Sequence, residues 1–452
     1  MTKKRKPIIT GAVIGTAVMM ALTGCLGKSS EPVTKVQPEP VKKTLKVAYF
    51  DQQRFMNDYG NALKKLLPDI EFQVIPTMQI VNRFAIAIDT DKVMEQKPDL
   101  INGSNLIKEL SKSGKVMELS AFIKQDAFDL NVFIESSVEQ LRALGNGKLT
   151  SLSPAFNSTA TFYNKEKFDR WGVSYPTNNM SWQSMMELAK KLARNENGKQ
   201  HYGIYTNFTH FTMASIYATG IGAPFLSGDR RTVNYMTGAS GSAANIVLDA
   251  YRTGAIYLAP EKMEASTSKT DSMLRNKFVS GEAAIALYSP SLIATMAESN
   301  GLGIPPIKWD IVTEPINPAQ PDQSIFGIYV SDPFGITSDS PNKAVAWEVI
   351  KAITGTTMAT EIAKTKTQSL STRKDSMMTV EGRKLDAFYA HKTVFAVTGD
   401  NVWSTQLAQK VNLINSEEMA DILYGRKSDS DGLAAMQKRV QQAIDEEYAV
   451  KK

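Results

Sequence analysis

Tyr163-Asn164-Lys165-Glu166-Lys167-Phe168-Asp169-Arg170-Trp171-Gly172-Val173, followed by Pro176 and by Ser181-Trp182, is the most informative stretch of this 452-residue chain. Downstream of it, Trp182, Met185, Met186, Ala189, Leu192 and Ala193 recur at helical spacing behind Ser181, whose hydroxyl can accept from the orphan amides of a helix start. Upstream, Leu149 to Tyr163 is apolar and polar by turns with Pro154 in its middle, and reads as extended chain crossing between two lobes. Stripes of this kind build core, and no chemistry is assigned to them.

Toward the N-terminus, Leu45-Lys46-Val47-Ala48-Tyr49-Phe50 and Glu71-Phe72-Gln73-Val74-Ile75-Pro76 read as strands separated by a helix around Gly60 to Leu67. Strand, helix and strand at that spacing suit a parallel α/β sheet. Lys97-Pro98-Asp99-Leu100-Ile101 reads as a further strand entering a loop, and Gly145-Asn146-Gly147-Lys148 as a hairpin turn, because Asn-Gly supplies positive φ. Toward the C-terminus, Ser340-Pro341 reads as a helix start, with Ala346, Val349, Ile350 and Ile353 on one face before Gly355. Leu433, Met436, Val440 and Ile444 form another stripe. No internal repeat is visible.

The chain opens with Lys3-Lys4-Arg5-Lys6 and an apolar run from Ile8 to Leu22, the order of an export signal. The run is shorter than the roughly 20 apolar residues of a membrane span and is broken by Gly11, Gly15 and Thr16. Leu22-Thr23-Gly24-Cys25 resembles the lipobox of bacterial lipoproteins. That resemblance implies a signal peptide over 1–24 and diacylglycerol, with or without an N-acyl chain such as palmitate, on Cys25, the only cysteine. Residues 25–43, polar and dotted with proline, read as a flexible tether. The four basic residues of 1–24 supply four of the six net positive charges, which leaves +2 beyond them. That is no footprint for nucleic acid.

Catalytic signals are sparse. His201, His210 and His391 are the only histidines, and no zinc, phosphate-loop, nucleophile-elbow or paired-cysteine motif occurs. No metal and no cofactor beyond the lipid are expected. Glu417-Glu418 and Glu446-Glu447 read as exposed helix faces, although an acid pair of the glycosidase kind stays open by inventory.

From residue 45 onward the chain resembles the family-1 extracellular solute-binding proteins that serve sugar importers. The opening stretch is close to the family's "YNKxLFxxxGVxxPPxTW". Pro98 to Ile101 with Gly114-Lys115-Val116-Met117-Glu118-Leu119, Lys277-Phe278-Val279-Ser280-Gly281-Glu282-Ala283-Ala284-Ile285, Gly335 to Trp347, and Ile422-Leu423-Tyr424-Gly425 follow in family order. Departures are Val116 at a usual leucine, Glu95-Gln96-Lys97 in place of Gly-x-Ala, and Leu287-Tyr288-Ser289-Pro290 where many relatives carry Gly-x-Trp. The resemblance implies an α/β, two-lobed periplasmic-binding-protein-like fold of type II, each lobe a sheet flanked by helices, with the ligand cleft between lobes. It implies an N-terminal lobe of 45–156 plus 330–368 and a C-terminal lobe of 157–329 plus 369–452. The crossings fall near Ala155 to Thr159, Phe326 to Ser331 and Ser369 to Thr372.

Sugars are bound by polar side chains that satisfy hydroxyls and by aromatic faces that stack on the C–H side of the ring. That mixture, sought on loops after strands, gives Asp51, Gln52, Ser104 and Asn105 from the first lobe and Asn157 and Ser158 at the crossing. The second lobe gives His210, Phe211, Tyr288 and Ser289, the second crossing Phe326 and Tyr329, and Trp403 is a candidate stacking platform. The expected function is capture of a carbohydrate, an oligosaccharide in view of the chain's length, and delivery to ABC importer permease subunits by a monomer held outside the cell through Cys25. Two alternatives stand: a cell-surface enzyme acting on polysaccharide, and a ligand sensor or adhesin on the same fold.

Overall fold

The computed structural model describes residues 43–78, 89–365, 368–393 and 403–450. The expected signal peptide, Cys25 and, save for Lys43, the tether lie outside the described residues.

A first sheet has the strand order Ile70–Pro76, Lys43–Tyr49, Leu100–Asn102, Phe334–Ile336, Ser151–Leu152. Its first three strands are parallel and the last two contacts are antiparallel. Leu45, Val47 and Tyr49 enter one buried cluster with Leu100, Phe334 and Trp347, while Ala48, Ile75 and Ile101 enter another with Ile107 and Val116. Both faces of the central strands are covered, so Lys43–Tyr49 and Leu100–Asn102 bury apolar residues on both sides, while the edge strand Ile70–Pro76 leaves Glu71 and Gln73 exposed. The helical run after the first strand starts at Gln52, capped by Asp51, and reaches Leu66 through a π-turn at Met56–Gly60. It thus begins well before the expected Gly60, because the Asp51 carboxylate caps it locally.

A second sheet runs Trp309–Thr313, Ala160–Asn164, Ala283–Tyr288, Lys199–Tyr205, Arg194–Glu196. The quoted stretch builds its middle: Ala160–Asn164 is a buried strand, Asn164 caps the helix Lys165–Trp171, and Gly172 ends that helix at φ 63°. The helix Trp182–Leu192 starts behind Ser181, which accepts from the Ser184 amide, and buries Trp182, Met185, Met186, Ala189 and Leu192 as its spacing requires. It lies so close to the sheet that a Cβ on Gly203 would come 2.3 Å from the Ala189 carbonyl oxygen.

Three short strands, Tyr329–Ser331, Ala155–Asn157 and Leu370–Ser371, form a separate sheet, and they fall at the three segments read as crossings. The chain leaves the first sheet at Leu152, passes Ala155–Asn157 and enters the second at Ala160; it returns through Tyr329–Ser331 to Phe334.

Three local readings need correction. Gly145 to Lys148 joins no two strands of a hairpin: Gly145 ends the helix Glu135–Leu144, and Asn146 (φ 57°) and Gly147 (φ 88°) form its closing turn, with the Gly147 amide on the Arg142 carbonyl at 2.8 Å. The positive φ was legible, but a helix end uses it as readily as a hairpin. The helix read from Ser340-Pro341 begins at Lys343, because the Ser340 hydroxyl is engaged by Asp99 Oδ1 at 2.6 Å and itself accepts from the Asn342 amide. Glu418 is buried, its carboxylate accepting from Lys427 Nζ at 2.6 Å and Arg439 Nη1 at 2.7 Å.

Candidate functional site

Tyr49, Pro76 and Asn102 end their strands at one edge of the first sheet, where Leu152 also ends and Phe334 begins. In the second sheet, Tyr205 and Tyr288 end parallel strands at the edge where Ala160 begins and Thr313 ends. The linking strands connect these two edges, so the space between them is where loops of both sheets converge, as ligand sites of open α/β sheets do.

The first edge is polar and internally tied. Asp51 accepts from the Arg54 amide at 2.7 Å, and Gln52 beside it is exposed. Ser104 and Asn105 open the helix Ser104–Lys112 directly after Gly103, whose φ of 109° and amide bond to the Pro333 carbonyl (3.1 Å) set the turn. Behind these loops the Tyr49 hydroxyl donates to Asp58 Oδ2 and the Tyr59 hydroxyl to Asp332 Oδ2, both at 2.8 Å. Burial, reinforced by the carboxylates, holds both phenols well above their ordinary pKa.

At the link, Asn157 Nδ2 donates to Ser331 Oγ at 2.9 Å, and Tyr329, in register with Asn157, is 61 % exposed. Ser158 is buried and donates to the Phe388 carbonyl at 2.8 Å, so its hydroxyl is taken by the protein.

The second edge is aromatic. Tyr288 stacks on Tyr205 with ring centres 6.3 Å apart and planes 11° apart, and Tyr205 meets Tyr257 at 6.0 Å. His210 opens the helix His210–Gly220 behind the Thr209 cap and lies 6.2 Å from Tyr424 and 5.1 Å from Tyr251. Burial among these rings pushes its imidazole below the usual pKa. Ser289 shares a hydroxyl contact of 2.7 Å with Ser291. The hydroxyls of Tyr205, Tyr257 and Tyr288 have no hydrogen-bond partner among the described residues, whereas Tyr424 donates to the Ala259 carbonyl at 2.9 Å.

Asp51, Gln52, Ser104, Asn105, Asn157, Tyr329, His210, Tyr288 and Ser289 thus lie on the two facing edges or the link between them. Three other aromatic candidates are taken up by packing on the second core. Phe211 meets Phe225 and Tyr235, Phe326 lies between Trp182 and Phe208, and Trp403 donates from its indole to the Arg230 carbonyl at 3.0 Å. Tyr205 and Tyr424 are members of the aromatic edge that the sequence reading passed over, whereas Tyr257 meets Tyr205 but packs closer on Tyr202, at 4.8 Å, and lines a groove with Lys277 and Glu282 at the other end of the strand Ala283–Tyr288. Tyr205 could have been found as the last residue of the strand His201-Tyr202-Gly203-Ile204-Tyr205, in the same position as Tyr288. Tyr257 and Tyr424 arrive from a loop and a helix end with no local signal.

A groove of about 650 Å³, chiefly apolar, runs beside the linking strand Leu370–Ser371 and is lined by Pro290, Ile293, Ala297, Ala359, Ala363 and Leu370 among others; none of the candidate residues lines it. Among the described residues no three His, Cys, Asp or Glu side chains converge as metal ligands, and no helix is long and apolar enough to cross a membrane.

Against known families, residues 49–359 match the bacterial extracellular solute-binding protein model. Solved structures share the fold. An ABC substrate-binding protein of Listeria monocytogenes in complex with cycloalternan superposes with a TM-score of 0.62 at 16% identity, over 89% of this chain and 99% of that one. The sugar-binding protein MalE of Xanthomonas citri gives 0.62 at 13% identity, over 90% and 99%. A cyclic alpha-maltosyl-1,6-maltose binding protein from Arthrobacter globiformis gives 0.58 at 16% identity, over 90% and 99%.

Proposed function

The chain belongs to the bacterial extracellular solute-binding proteins, and we propose that it captures a carbohydrate between its two sheet edges and passes it unchanged to the permease of an ABC importer. The observation that carries this reading is the pairing of a polar edge, Asp51, Gln52, Ser104 and Asn105, with an aromatic edge, Tyr288, Tyr205 and His210, across a three-strand link. A sugar needs both: donors and acceptors for its hydroxyls and ring faces for its C–H surface. A buried hydroxyl left without a partner costs about 1–3 kcal/mol, which is the source of selectivity. Relatives in fold support the ligand class, since their names carry cycloalternan and cyclic maltosyl-maltose. The short linking strands serve as the hinge on which the two sheets close, because hinges are a few element-terminal residues. Cys25, lipidated after removal of 1–24, holds the protein at the outer face of the membrane.

A thermal-shift panel of mono- and oligosaccharides tests the reading. A sugar that binds only the folded state at 100 times its dissociation constant adds about 2.7 kcal/mol of stability, and it is expected back intact. Recovery of cleaved sugar would show a hydrolase instead.

A further inference from the structure

We propose that Lys167 and His201 form a proton switch at the end of the second sheet remote from the linking strands: the pair carries one positive charge or none, and the helix Lys165–Trp171 grips the sheet more tightly once the last charge is lost. Nothing in this pairing depends on sugar capture.

Aligning Tyr163-Asn164-Lys165 with the family's YNKxLF puts Lys167 at the leucine. It is buried as a leucine would be, on the same helix face as Phe168. Its ammonium lies 4.7 Å from the centre of the Trp171 ring and 2.9 Å from Nδ1 of His201, and both residues are only 8 % exposed. The strand Ala160–Asn164 starts at the link and ends beside this helix, so the pair sits at the sheet end opposite Tyr288 and Tyr205.

Charged groups face the pair from three elements. The helix brings Arg170, the hairpin of Arg194–Glu196 and Lys199–Tyr205 brings Arg194, Glu196 and Lys199, and the turn before the strand Ala283–Tyr288 brings Glu282 with Lys277. Both carboxylates are already engaged, Glu196 by Arg170 at 2.9 Å and Glu282 by Lys277 at 2.8 Å. The Arg194 guanidinium lies 4.3 Å from the Trp171 ring centre and adds a further cation. Among the described residues no carboxylate comes within ion-pair distance of Lys167, and its hydrogen-bond partner is the imidazole.

Two nitrogens 2.9 Å apart need a proton between them. With Lys167 as an ammonium, His201 is neutral, accepting at Nδ1 and carrying its own proton on Nε2, which lies 3.7 Å from Glu196 Oε2. Protonating the imidazole as well removes the acceptor and sets two cations in contact. Burial, with Lys199 and Arg170 nearby, pushes the ammonium down to about 8, and burial with Lys167 holds the imidazole below its usual range. An unfolded lysine keeps its proton to about pH 10.4. From about pH 8 to 10.4 the folded chain therefore binds fewer protons than the unfolded one, and stability rises with pH. Below the usual imidazole value the unfolded chain takes up a proton that folded His201 resists, and stability falls. A leucine at 167 would make this corner of the core indifferent to pH.

Ring NMR of histidine-labelled protein tests the switch, because His201, His210 and His391 are the only histidines and His201→Gln assigns the signal. The His201 ring is expected to shift near pH 8, where an ordinary imidazole has finished titrating at about 6.5. Lys167→Leu, which restores the family residue, should abolish that step and leave the His210 and His391 signals in place. Melting should report the same event: between about pH 7.5 and 9.5 the parent gains about 2 °C or more in melting temperature relative to Lys167→Leu. A His201 signal that stays flat around pH 8 in the parent, or parallel melting profiles for parent and Lys167→Leu, overturns the switch. Should Lys167→Leu fail to fold, the ring signal of the parent alone decides.

Discussion

At the edge of the first sheet the phenols of Tyr49 and Tyr59 end on the carboxylates of Asp58 and Asp332, while at the edge of the second the hydroxyls of Tyr205 and Tyr288 meet no hydrogen-bond partner among the described residues. The same side chain therefore does two kinds of work in one molecule. In the first sheet it ties loops to a core: Tyr59 sits on the turn after Phe55 and reaches Asp332, which carries φ 54° between the linking strand and Phe334. In the second it lines a surface and keeps its hydrogen-bonding capacity for something that is not protein. On the proposed reading, a polar edge tied by its own hydrogen bonds and an aromatic edge whose hydroxyls are unengaged among the described residues divide the labour of holding a polyhydroxylated ring in one orientation.

The comparison breaks most visibly under identical substitutions. Tyr59→Phe should cost about 1–3 kcal/mol, because it removes a hydrogen bond from a buried phenol to the half-buried carboxylate of Asp332, whereas Tyr288→Phe and Tyr205→Phe should stay within about 0.5 kcal/mol, as expected where no protein partner is lost. Urea unfolding of the three variants measures this, and equal losses would erase the distinction. A smaller effect sharpens the role of Asp51. Asp51→Ala should cost about 0.5–2 kcal/mol through loss of the cap, while Asp51→Asn keeps the cap; a fall in sugar affinity in the asparagine variant would then report the carboxylate's contact with ligand. Smallest is an acid-side effect at His210. Its folded-state pKa is depressed by burial, so above the unfolded value, near 6.5, both states are neutral and nothing is lost. As pH falls below that value the unfolded chain takes up a proton that the folded chain resists, and stability declines. His210→Gln should therefore flatten the melting temperature between about pH 6.5 and the lower folded-state value, relative to the parent.

The sheet strands were legible because they are short apolar runs bounded by turn signals, and the helix Trp182–Leu192 because its stripe and its cap agree. What sequence could not resolve is what a side chain does when two roles share one local pattern. Gly145-Asn146-Gly147 supplies positive φ to a hairpin or to a helix end, and only the pairing partner decides between them. Phe211 and Phe326 look like stacking rings from their loops, yet Trp182, Phe208, Phe225 and Tyr235, remote in sequence, cover them. Tyr257 and Tyr424 lie 167 positions apart in the chain and reach Tyr205 and His210 respectively only through tertiary packing.

Native mass spectrometry of the purified protein incubated with the oligosaccharide that gives the largest thermal shift tests the central claim most directly. Capture without turnover predicts a one-to-one complex that releases sugar of unchanged mass after prolonged incubation. Release of shorter sugars, or no complex with any sugar of the panel, would contradict it.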